Sequence, residues 1–153
     1  MKPKLLVSAC LLGTPCRYDG KSKKNEAVCA LAEWFELIPV CPEVLGGLPT
    51  PRTPSERRGA CVVRKDGRDV TAEYRRGAEC ALETARREGV LAAVLKERSP
   101  SCGSGEIYDG TFTGALTAGD GVTAELLKSN GITVYGEGEQ SLTEFLCSVS
   151  HST

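Results

Sequence analysis

Hydrophobic and polar positions alternate along the chain with two different periods, and the alternation predicts short strands separated by helices. The first apolar run, Lys4 to Ala9 (KLLVSA), is continuous and ends at Cys10, as a strand buried on both faces would. Asn25 stands where a helix N-cap belongs, and Ala27, Val28, Leu31, Trp34 and Phe35 follow at helical spacing. Leu37 to Val40 predicts a second strand, ending at Cys41. Three prolines and two glycines in Gly46 to Pro54 (GGLPTPRTP) make that stretch a loop.

Further along, Gly59 to Arg64, with Asp66-Gly67 behind it, reads as half a hairpin or a short edge strand. Thr71 opens a helix to Glu88, with Tyr74, Ala78, Ala81, Leu82 and Ala85 as its apolar face and Gly89 as its stop. Val90 to Leu95 (VLAAVL) predicts the central strand, and Ser99 to Gly121 is Gly-rich and irregular. A helix from Val122 stops at Asn130-Gly131. Ile132 to Tyr135 predicts a last strand, and Ser141 caps a helix running through Cys147. Strands alternating with helices predict one α/β domain over residues 1–153. Its sheet is mostly parallel with helices on both faces, a Rossmann-like arrangement.

Composition narrows the function. A chain of 153 residues can bury a real core. With 19 Lys+Arg against 20 Asp+Glu, the net charge of -1 speaks against duplex nucleic acid as a partner. No apolar run approaches the roughly 20 residues of a membrane span. Met1-Lys2-Pro3-Lys4 leads into a strand rather than a secretory segment, so a cytoplasmic location is expected. Eight cysteines are many for a reducing compartment. The only histidine, His151, lies near the end, which removes the material for a Ser-His-Asp triad or a His-rich zinc site. The chemistry then falls to Cys, Ser, carboxylates, Lys/Arg and a bound metal.

Position singles out three of the cysteines. Cys10, Cys41 and Cys102 lie at or just beyond the carboxyl ends of predicted strands, where the ligand crevice of an open α/β sheet forms. Cys29, Cys80 and Cys147 fall in helical contexts and Cys61 in a strand, where cysteine serves as a small hydrophobe. Cys16 shares the first loop with Cys10, and packing beside the site suits it better than direct ligation. Closed zinc sites usually use four ligands in close pairs, and the chain has no CxxC. Three thiolates on a cubane cluster leave one iron open as a Lewis acid. The alternative is three unrelated loop thiols.

Around these thiols stand further candidates. Glu43, two residues after Cys41 and stiffened by Pro42, can move a proton to or from water. Ser99 and Ser101 flank Pro100 just before Cys102, placed to relay a proton or to cap a turn. Gly103 and Gly105 suggest a close backbone approach to a ligand. Arg17, Arg52, Lys96 and Arg98 are candidate anion contacts, as is the Gly121–Thr123 helix start.

Taken together, VSACLLGTPCRYDG, PVCPEVLGGLPTPR, DGRDVT, LKERSPSCGSGEIYDGTFTG and GDGVTAELLKSNGI resemble the bacterial thiouracil/thiouridylate desulfidase family over residues 4 to 138. The resemblance implies a 4Fe-4S cluster held by Cys10, Cys41 and Cys102, with a fourth iron open to sulfur. It places the catalytic carboxylate on Glu43 and the catalytic serine on Ser99 or Ser101. It also implies non-redox desulfuration of a thiolated pyrimidine, such as 2-thiouracil or 4-thiouridine monophosphate, to the oxo form plus sulfide. Arg17, Arg52, Lys96, Gly121 and Thr123 would then serve substrate binding. Two other readings remain open. One is a metal-free thiol enzyme using Cys10, although the six residues between Cys10 and Arg17 miss the phosphatase register by one. The other is a cluster- or metal-binding module without turnover.

Overall fold

The computed structural model describes residues 2–150, so His151 lies outside the described residues. Strand β1 (Lys4–Ser8) runs into a 3-10 turn and a loop to α1 (Glu26–Ala30). Strand β2 (Glu36–Val40) passes directly into α2 (Pro42–Leu45). A hairpin of β3 (Ser55–Arg58) and β4 (Cys61–Arg64) precedes α3 (Thr71–Glu88) and β5 (Ala92–Val94). A second hairpin, β6 (Glu106–Tyr108) and β7 (Leu116–Ala118), leads to α4 (Val122–Ser129), β8 (Val134–Tyr135) and α5 (Glu139–Ser150).

The central sheet has the order β2-β1-β5-β8, and each of its neighbouring pairs is parallel. Side chains alternate across it. Leu5 and Val7 enter one core with Val28 and Leu31 of the α1 region and Leu142 and Phe145 of α5. Leu6 enters the other with Leu82 and Ala85 of α3 and Ala124 and Leu127 of α4. The α/β architecture with helices on both faces therefore holds. Among the described residues no helix is long and apolar enough to cross a membrane.

Local departures from the sequence reading have local causes. Asn25 does cap α1, its Oδ1 accepting from the Val28 N–H at 3.0 Å. A 3-10 turn over Leu31–Glu33 then changes the phase, leaving Trp34 57% exposed while Phe35 is buried. Helix α5 starts at Glu139, ahead of Ser141, whose Oγ instead accepts from the Gly136 N–H at 2.8 Å. Cys61 and Cys147 are exposed and fill no core. The partner strand β3 (SERR) is polar on both faces, so no apolar alternation announces it.

One packing feature sets the position of α2. A Cβ on Gly46 would lie 2.0 Å from the Glu73 carbonyl oxygen, and one on Gly77 would lie 1.9 Å from the Pro42 carbonyl oxygen. Two glycines thus let the backbones of α2 and α3 cross in direct contact, fixing the residues on either side of Pro42.

Candidate functional site

A cavity of about 530 Å³ opens beyond the carboxyl ends of the parallel strands. Cys10 reaches it from the turn after β1, Cys41 from the end of β2, and Cys102 from the loop after β5. Cys16, Glu43 and Ser99 line it too. Parallel strands point their carboxyl ends the same way, so residues far apart in sequence meet at one rim.

Cys16 is buried between two of these thiols, hydrogen-bonded to both Cys10 and Cys41. The contact with Cys10 pushes the Cys16 thiol up, with burial adding to it, while the contact with Cys41 opposes. The Cys41 thiol is also raised, chiefly by its hydrogen bond with Cys16 and then by burial. Burial pushes Cys102 up to about 12, helped by the Glu43 charge and opposed by the Ser8 and Ser101 hydroxyls.

Glu43, the second residue of α2, is held from two sides. Arg52 donates from Nε to Oε2 at 3.1 Å and from Nη2 to the same oxygen, and the Tyr74 hydroxyl donates to Oε1 at 2.8 Å. Arg52 also donates to the Pro49 carbonyl at 3.1 Å, to Thr50 Oγ1 at 3.2 Å and to the Cys16 carbonyl at 3.0 Å. A guanidinium has five N–H groups, and these five bonds use them all. Burial alone would lower the Arg52 pKa, but the charge and hydrogen bonds of Glu43 hold it above its ordinary value. Burial, then Glu43, raises the Tyr74 phenol. Arg52 is therefore placed as a support for the carboxylate. Tyr74 read from sequence only as part of an apolar helix face, and no spacing signal links it to Glu43.

The two serines occupy different places. Ser99 lines the cavity, and its Oγ accepts from the N–H groups of Ser101 at 3.0 Å and Cys102 at 3.1 Å. Ser101 is 1% exposed and lies behind the cavity wall, its Oγ 2.8 Å from Thr123 Oγ1. Thr123 is fully buried, so the α4 start does not reach the cavity. Its first N–H groups are already bonded: Val122 to the Pro100 carbonyl and Thr123 to that of Ser101, each at 2.8 Å. Gly121 packs on Ser101, where a Cβ would come within 2.4 Å of backbone. The tight approach at Gly103 is likewise to its own loop, at Ser99 and Ile107.

Among the candidate cations, Lys96 Nζ lies 3.2 Å from Glu137 Oε2 and donates to the Glu97 carbonyl at 3.1 Å. Arg17 pairs loosely with Asp19 at 3.7 Å and stacks over Tyr18. Arg98 pairs with Glu106 at 3.5 Å, and all three cations line the cavity.

The donor set fits a cluster better than a single ion. Among the described residues no three His, Cys, Asp or Glu groups close around one point as the ligands of one ion do. A cubane asks for something else: soft thiolates, each on a different iron, approaching from separate directions. Three buried or half-buried cysteines on three strand ends, around a cavity with room to spare, meet that demand.

A sequence model of the family described as 2-thiouracil desulfurase matches residues 5–139. An uncharacterized protein from Bacillus subtilis (strain 168), YbbK, is 44% identical over 145 residues, covering 88% of this chain and 96% of its own length. A solved structure named as a 4Fe-4S-dependent thiouracil desulfidase, TudS, is 51% identical, with a TM-score of 0.90. That match covers 97% of this chain and 99% of the other. The motif resemblance and the fold agree: the chain belongs to the 2-thiouracil desulfurase family.

Proposed function

We propose that this protein is a 4Fe-4S-dependent desulfidase that converts the thiocarbonyl of a thiolated pyrimidine to a carbonyl. The observation that carries the reading is the convergence of Cys10, Cys41, Cys102 and the Glu43 carboxylate on one cavity. The three cysteines are the proposed ligands, and the cluster, when bound, supplies an open Lewis-acid iron for sulfur.

The chain's own residues supply the rest. Glu43, aimed by Arg52 and Tyr74, takes a proton from the water that attacks the carbon. Ser99 accepts two backbone N–H bonds, so its hydroxyl proton is free to donate toward the substrate. Between Ser99 and Ser101, that access favours Ser99 as the catalytic serine. One water enters and one sulfide leaves, so no electron donor is needed. The substrate is 2-thiouracil or a thiolated nucleotide such as 4-thiouridine monophosphate. Of Arg17 and Lys96, Arg17 is the more loosely paired and is the proposed contact for a phosphate.

Anaerobic reconstitution with iron and sulfide, followed by a thiolated-pyrimidine assay for uracil and sulfide, tests the proposal. About four irons per chain, turnover without reductant, and loss of turnover but not iron in Glu43→Ala are expected. A strict need for an electron donor, or a loaded protein that releases no sulfide, would overturn it. A lower KM for the monophosphate than for the free base, weakened in Arg17→Ala, would support the nucleotide.

A further inference from the structure

The buried serines and threonines among the described residues are Ser8, Ser101 and Thr123, at 3%, 1% and 0% exposure. Thr123, Ser101 and Cys102 form one hydrogen-bonded chain, and the Ser8 hydroxyl acts on the same Cys102 sulfur. Hydroxyls in a core are costly unless they are bonded, so their meeting at a single thiol calls for a shared role. Resting on the assignment of Cys102 as a cluster ligand, we propose that Ser8 and Ser101 donate hydrogen bonds to its sulfur. Together they set the electron density that this ligand presents to the cluster, and Thr123 aligns Ser101.

The geometry lets each serine turn its proton toward that sulfur. Ser8, the last residue of β1, accepts the Lys96 N–H at 2.9 Å, which leaves its own proton for the Cys102 sulfur it also touches. Ser101 Oγ lies 3.8 Å from Cys102 Sγ and 2.8 Å from Thr123 Oγ1. With a neutral thiol, the Cys102 S–H donates to Ser101. When ligation removes that proton the rotors turn over: Thr123 donates to Ser101, and Ser101 donates to sulfur. Thr123 is the second residue of α4, so no earlier helical carbonyl competes for its hydroxyl. Each donor withdraws charge from the thiolate, and hydrogen bonds to cluster sulfurs raise the reduction potential.

The test uses anaerobically reconstituted full chain, reading the midpoint potential of the cluster and its sulfur-to-iron charge-transfer absorption. Ser8→Ala and Ser101→Ala, at unchanged iron content, should each move the potential to more negative values and the absorption to longer wavelength. Thr123→Val should give a smaller shift of the same sign, absent when Ser101 is already Ala, and Thr123→Ser should restore the parent values. A merely structural role for the hydroxyls would not produce that dependence. Should Ser101→Ala fail to hold iron, Ser8→Ala and Thr123→Val decide by the same two readouts. Parent-like potentials and spectra in loaded variants would overturn the proposal. A full, spectrally unchanged cluster in Cys102→Ala would overturn the ligand assignment beneath it.

Discussion

Arg52 grips the Glu43 carboxylate through Nε and Nη2 while its other donors bind the carbonyls of Cys16 and Pro49 and the hydroxyl of Thr50. One side chain thus ties the carboxylate of α2 to the loop that carries Cys10 and Cys16. Lysine would keep the charge but lose the fork, since an ammonium cannot span those acceptors in fixed geometry. Arg52→Lys should lower kcat about 10- to 100-fold with a smaller change in KM. Arg52→Ala should also destabilise the fold by on the order of 3 kcal/mol, because it leaves Glu43 enclosed and unpaired. Steady-state kinetics beside thermal melts check both; unchanged kcat in Arg52→Lys would show that Glu43 needs no such clamp.

Tyr74 holds the other oxygen of the same carboxylate, and its ring packs with Val62 and Val70. Phenylalanine preserves that packing and removes only the donor. Tyr74→Phe should cost about 1 kcal/mol of stability and about tenfold in kcat. Cluster content should stay at the parent level, since the hydroxyl touches no cysteine. Iron analysis of the purified variant separates this outcome from a general loss of the site.

How far the sequence reveals this site depends on which force places each residue. Cys10, Cys41 and Cys102 can be grouped from sequence because Cys10 and Cys41 close apolar runs that mark strands, Cys102 lies in the loop beyond a third such run, and parallel strands share a rim. Arg52 cannot be read that way. It sits in a proline-rich loop whose path follows from tertiary contacts, so its type suggests an anion while its partner stays hidden. Ser101 and Thr123 look like polar loop and helix-start residues, yet both are buried because the Ser101–Cys102 segment is clamped over α4. The hairpin β6–β7 is obscured for another reason: its strands are three residues each, too short for a period to show.

Asp120 locks the segment after Cys102 to α4, its Oδ1 accepting from the Gly105 N–H and Lys128 Nζ, each at 2.8 Å. Burial alone would raise its carboxyl, but Lys128 and the Gly105 N–H outweigh burial and hold it below 3.8. A carboxyl depressed in the folded state contributes fully above its unfolded value and loses that contribution as pH falls through the folded one. Asp120→Asn should therefore melt below the parent at neutral pH, and the gap should close only below pH 3.8. Melting curves of both proteins across an acid series check this; a gap that closes near neutrality would assign the stability to another group.

Gly77 gives a prediction whose sign opposes helix propensity. Glycine inside a helix is normally worse than alanine by about 0.5–1 kcal/mol, so Gly77→Ala in the middle of α3 would ordinarily stabilise. Here the new Cβ would lie 1.9 Å from the Pro42 carbonyl oxygen, and backbone on both sides leaves no flexible tip to yield. Helix α2 would have to move off α3, carrying Cys41 and Glu43 away from their partners across the cavity. Gly77→Ala should therefore destabilise by about 2–3 kcal/mol, hold less iron after reconstitution, and lose turnover beyond its loss of iron. Gly89→Ala tests the other use of glycine in the same helix: the C-cap has φ +65 with open space around it, so strain should lower stability there while iron loading is retained. Comparable iron loading in the two variants would mean that the α2–α3 crossing does not position the cysteine and the carboxylate.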